Sequence, residues 1–248
     1  MFPFAGPSSA YVHRMRLIPT LPFLLAVVGC APIYYPNAAY TTLPVEPGEV
    51  VGVVRASTSG IEVQSVVAPL KSAVIGGSAT FLHVPGDVSY ITHRYGELVA
   101  GWSDTSGRAF FGALVGAGLG ATATPPGSRY PWDDQTFDSA RYARVFVQAS
   151  IGSLRYERSI EPGQRANSGF ALGLRLAWVR TSGLWIDEEI QPTTSDFFIE
   201  PHVSWQSRGE TLGLEVDFGL SMNPGGGLRF HNSPMRLGVG LTYALGGW

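Results

Sequence analysis

The chain has 248 residues, of which 45% are hydrophobic and only 15% charged, with 31 glycines and a formal net charge of −2. That is enough chain for one domain of ordinary size, and Arg14 and Arg16 set aside, 15 basic residues face 19 acidic ones. A nucleic-acid partner, which would need a basic patch, is not expected.

In chain order, residues 1–29 read as a signal peptide. Arg14 and Arg16 precede an apolar run from Leu17 to Gly29, broken by Pro19 and Pro22 and shorter than the roughly 20 residues of a spanning helix. Met15 offers a second start, since Met15-Arg16-Leu17 forms a short, positively charged opening. The run ends Val27-Val28-Gly29-Cys30, which resembles the lipobox of bacterial lipoproteins. That resemblance implies acylation of Cys30, the only cysteine, and sorting to the outer membrane, because Ala31 rather than Asp follows it. A sole cysteine also means that no internal disulfide is available. Residues 30–47 are then a lipidated N-terminus and tether: Pro32, Tyr34, Tyr35, Pro36, Asn37, Pro44 and Pro47 show no sustained period, so neither strand nor helix is expected.

Residues 48–248 read as strands. Glu49–Ser57, Ile61–Ala68 and Ser72–Val84 come first, with poor alternation and with Gly76-Gly77 interrupting the third. Val88–Ser103 is one long bulged strand or two short ones, closed by the turn Asp104-Thr105-Ser106-Gly107. Arg108–Thr122 sets Phe111, Ala113, Val115, Ala117 and Leu119 opposite Gly112, Gly116 and Gly118, whose lack of side chains leaves room in a narrow lumen. Tyr142–Arg155 sets Val145, Val147, Ala149 and Ile151 against Arg144, Gln148 and Ser150. In Phe170–Val179 the outward row is Phe170, Leu172, Leu174, Leu176 and Trp178, and Arg175 lies on the other face. Phe197–Gln206 carries Glu200, His202 and Ser204 on its polar face, with Pro201 marking an edge or a bulge. Thr211–Met222 alternates for six apolar positions against Glu215 and Asp217, and Met235–Leu245 repeats the scheme with Arg236 on the small-residue face.

Apolar rows opposed by small and polar residues predict an all-β, antiparallel, up-and-down transmembrane β-barrel of eight to ten strands, ten being the best count. Only closure pairs every backbone group of a strand in lipid. Short and long connections alternate, so the loops at Pro125, Asp187 and Asn223 are expected outside and the N-terminus on the periplasmic side. Trp102, Trp178, Trp205, Tyr243 and Trp248 lie near strand ends, as an aromatic belt would. The stretch from Pro85-Gly86-Asp87 through Arg94-Tyr95-Gly96 and Leu98-Val99-Ala100-Gly101 resembles the early strand pair of Gram-negative outer-membrane β-barrel proteins, more narrowly small lipid-anchored ones without an assigned function. That resemblance implies two partners, outer-membrane lipid and the barrel assembly machinery that reads a terminal aromatic such as Trp248. Here Trp248 is out of phase with the row ending at Leu245.

The candidate interior is a lumenal polar network of Arg144, Arg175, Glu200, His202, Glu215 and Asp217, since unpaired charges are costly in a confined space. A structural, surface or adhesion-type role follows, with no cofactor and no metal: the five histidines lack ligand spacing. Two other readings stand beside it. A soluble lipocalin-like barrel binding an apolar ligand would turn the apolar rows inward. His231-Asn232-Ser233 is similar to the His-x-Ser core of lipid A deacylase barrels, with His231 and Ser233 as catalytic candidates, although Pro234 follows the serine and no acid lies in 235–248.

Overall fold

The computed structural model describes residues 34–41, 47–84, 91–106, 108–124, 129–130, 133–158, 165–186, 189–208, 212–225 and 233–245. Ten long strands are β1 (Val50–Ser57), β2 (Gly60–Leu70), β3 (Ala73–Val84), β4 (Ile91–Ser106), β5 (Ala109–Ala123), β7 (Asp133–Arg158), β8 (Arg165–Ile186), β10 (Thr194–Arg208), β11 (Leu212–Leu220) and β12 (Met235–Leu245). Two-residue strands, β6 (Arg129–Tyr130) and β9 (Glu189–Ile190), pair only with the upper parts of β7 and β8.

Each long strand pairs antiparallel with its neighbours in the chain, and β12 returns to β1 from Val50↔Leu245 to Ser57↔Gly238. With β7 paired to β8, the ten strands form a closed barrel. No long strand is left as an edge, so the backbone groups that an open sheet would expose are consumed in the ladder. One end carries the connections at residues 71–72, 107–108 and 209–211, all tight, and the six-residue connection 159–164, together with the start of β1 and the end of β12. The other carries 85–90, 124–132, 187–193 and 221–234, with the β1–β2 turn Thr58–Ser59 as its one tight connection.

The ragged first strands form almost where expected. Their weak alternation has a local cause: β1 sends Val53 inward as well as Arg55, which blurs the hydropathy contrast between its faces, and the β2–β3 register shifts between Val67 and Leu70. β4 is one continuous strand. Pro201 lies within β10, where the continuous ladder to β11 begins only at His202 and a lone bridge, Ile199↔Met222, stands beyond it. A residue without an N–H costs least at such a gap.

The apolar rows face out all round the wall: Leu98 and Leu119 are 74% and 71% exposed, and Val115, Val145, Leu172 and Leu241 are likewise open. Glu215 and Asp217, on the opposite face of β11, are buried. A soluble lipocalin-like barrel requires the reverse, so that reading is set aside.

Candidate functional site: a lumen filled by the chain's own N-terminal segment

The glycines of β5 do leave room inside, and rings from neighbouring strands take it. A side chain at Gly116 would strike the Phe146 ring, at Gly118 the Tyr95 phenol, and at Gly120 the Tyr142 ring. Tyr95 and Tyr142 stack at 5.7 Å, and His93 lies within hydrogen-bond distance, 2.7 Å, of the Tyr142 hydroxyl.

What occupies the middle is the segment expected to be a tether. Tyr34, Asn37, Ala38 and Tyr40 are almost wholly buried, inside the barrel and not outside it. The physical reason is donor and acceptor matching. A strand-free backbone in a confined space must find partners on the wall, and the inward charges of the wall need neutral partners as well as each other. The Ala38 N–H donates to Glu62 Oε2 at 2.8 Å, and Gln148 Nε2 donates to the Tyr40 carbonyl at 2.7 Å. Arg175 donates to the Ala38 carbonyl at 3.1 Å and to Asn37 Oδ1 at 3.0 Å. Asn37 Nδ2 in turn donates to Glu97 Oε1 at 2.5 Å and to Ser78 Oγ at 3.1 Å.

Two charge groups surround this segment. In the first, Arg144 pairs with Glu97, donates to the Asn37 carbonyl oxygen of the side chain, and donates to the Tyr34 hydroxyl at 2.6 Å. The Tyr34 hydroxyl in turn donates to Glu200 Oε1, also at 2.6 Å. Arg144 and Arg175 stand 3.9 and 3.7 Å from Glu200 Oε2, and both guanidiniums lie over the Phe146 ring, at 4.8 and 4.5 Å. In the second group Arg55 donates to Glu62 at 2.8 Å and to Glu215 at 2.5 Å, and its Nε lies 3.0 Å from Asp217, which also holds Arg236. Within these two groups four arginines (55, 144, 175, 236) face five carboxylates (62, 97, 200, 215, 217), all buried; Glu49, just before β1, is a further buried carboxylate outside them. Such pairing of opposite charges offsets part of the cost of burying them in a confined space.

Of the six network residues expected from the sequence, Arg144, Arg175 and Glu200 come together, while Glu215 and Asp217 belong to the separate Arg55 group. His202 points inward beside Gly173, and neither ring nitrogen has a hydrogen-bond partner among the described residues. Arg55, Glu62, Glu97 and the tyrosines of the inner segment were not foreseen as site residues. Their signal was there: three tyrosines and no charge between residues 34 and 40 is an odd composition for a solvated linker. Trp102, Trp178, Trp205 and Tyr243 are all outward and exposed; Trp248 and Cys30 lie outside the described residues. Phe170 stands opposite Trp205 and Trp178 opposite Phe197, making two aromatic pairs at different heights on the β8–β10 seam. His231 lies outside the described residues, and Ser233 Oγ donates to the Met235 carbonyl at 3.1 Å. Among the described residues no cluster of three or more His, Cys, Asp or Glu is set to hold a metal ion.

No protein-family model matches the sequence, and no curated protein matches it. Among solved structures, the barrel is similar to the translocator domain of autotransporter NalP from Neisseria meningitidis, with 10% identity, 79% of this chain and 87% of that chain covered, and a TM-score of 0.47. It is also similar to the KdgM porin in complex with disordered oligogalacturonate, with 10% identity, coverage of 80% and 99%, and a TM-score of 0.29. These scores are low, and the fold is assigned from the register of the strands themselves.

Proposed function

We propose that this protein is a lipid-anchored β-barrel of the bacterial outer membrane, built as a sealed structural or surface component and not as an open channel. The filled lumen carries the reading: the inner segment and the two charge groups take up the interior, and a cavity beside Asn37, Arg175, His202 and Arg236 measures only about 20 Å³, room for one water, while the larger space of about 360 Å³ lies beside the outward-facing Phe170 and Trp205. The wall supports the membrane part. Large apolar side chains are exposed around the whole circumference, far beyond the few hundred Å² usual for a monomer in water. The two aromatic pairs on the β8–β10 seam lie roughly 20 Å apart along the barrel axis, for a strand rise of about 3.3 Å and a tilt of about 40°. That is close to the roughly 25 Å apolar band between aromatic girdles in outer-membrane barrels. With tight turns periplasmic, the long connections face outward. Acylation at Cys30 and delivery by the barrel assembly machinery complete the proposal.

The test joins location to closure. The expressed protein should fractionate with the outer membrane, run as a heat-modifiable band, and show no steady conductance in planar bilayers. A variant lacking residues 34–41 should conduct. A soluble periplasmic protein, or a wild-type protein with large steady pores, would overturn the reading.

A further inference from the structure

The inner segment has a direction. At its start the Tyr34 carbonyl accepts from the Ser233 N–H at 3.0 Å, and the Pro36 carbonyl accepts from Ser59 Oγ at 2.9 Å. Both partners belong to connections at the long-loop end, 221–234 and Thr58–Ser59. Deeper in, Ala38 and Tyr40 bond to Glu62 and Gln148. Thr41 meets Gln206, close to the end of β10 at the tight-turn end. The chain is next described at residues 47 and 48, where the Gly48 N–H donates to the Ala68 carbonyl beside the tight β2–β3 connection, and it then enters β1.

From residue 34 to residue 48 the chain therefore passes from one end of the barrel to the other before the first strand begins. An even number of strands places the start of β1 and the end of β12 at the same end, which is the basis for expecting a periplasmic N-terminus. That count omits a crossing made inside the lumen, which no hydropathy rule detects.

We infer that the chain preceding Tyr34 leaves the barrel at the long-loop face, so that the molecule threads its own N-terminal segment through its lumen and presents it on the outer surface. This rests on the orientation proposed above, with the long connections outside. Cys30 stands four residues ahead of Tyr34, a reach of about 14 Å for extended chain, so a group carried there would meet the lipid from the outer side. The barrel then acts as a carrier that displays the segment beside its long loops.

The experiment places one epitope between Ala31 and Pro32, a second between Gln191 and Pro192 in a long connection, and a third between Lys71 and Ser72 in a tight turn. Antibody binding is compared in intact and permeabilised cells. The first two epitopes should be reached in intact cells and the third only after permeabilisation. If the first epitope behaves like the third, the inference falls. If the second and third exchange behaviour, the proposed orientation falls instead, and the inference stands or falls by which of them the first epitope follows. Where an epitope blocks assembly, Ile33→Cys, Pro192→Cys and Lys71→Cys variants, treated with a membrane-impermeant maleimide and compared with the unsubstituted protein, give the same three-way comparison.

Discussion

Arg144 and Val145 share a peptide bond and face opposite media: the arginine is 1% exposed and the valine 54%. Inward, the guanidinium answers to Glu97 of β4 and to Asn37 and Tyr34 of the inner segment, all at fixed positions. Outward, in the membrane proposed above, the valine meets a fluid with no positions at all. The two faces of one strand are thus specified in different ways. The outer face needs a side chain of the right hydropathy, whereas the inner face needs a particular partner at a particular distance.

That contrast sets the order of expected effects. Arg144→Ala leaves Glu97 buried beside one cation fewer and should cost about 3–5 kcal/mol, read as a lower urea midpoint for the heat-modifiable band. Arg144→Lys should recover only part of this, because a single ammonium cannot fork between Glu97 and Tyr34. Next comes Val147→Arg, a charge on the outer face near the middle of β7, at about 2–4 kcal/mol in the same assay. Gly118→Val should cost about 1–3 kcal/mol, since its side chain would displace the Tyr95 phenol from the glycine surface it covers. Smallest is Val145→Leu, expected within about 0.5 kcal/mol. Should Val145→Leu destabilise as much as Arg144→Ala, the contrast between fluid and fixed surroundings would be wrong.

The outer face was legible in the sequence because hydropathy is all that specifies it. Phe170, Leu172, Leu174 and Trp178 of β8 could be placed outward from phase alone, and so could Arg175 inward. Partnership was not legible. Nothing in the spacing of Arg55 and Glu215 shows that they meet at 2.5 Å, because closure of β12 on β1 brings them together across most of the chain length. Residues 34–41 were harder still. Their backbone is neither helical nor extended in a ladder, so no period marks it, and their burial depends on a wall that is formed by the two hundred residues following them.

Asn37 has one more consequence. Its side chain is bonded by Ser78, Glu97, Arg144 and Arg175, which come from four separate strands, β3, β4, β7 and β8. A wall zipped shut beforehand would offer no free width through which to feed the tyrosines on either side. In the full chain the order is therefore fixed: the last seam closes over a segment already in place. A chain beginning at residue 47, refolded first and then mixed with a peptide of residues 34–41, is expected to remain hollow.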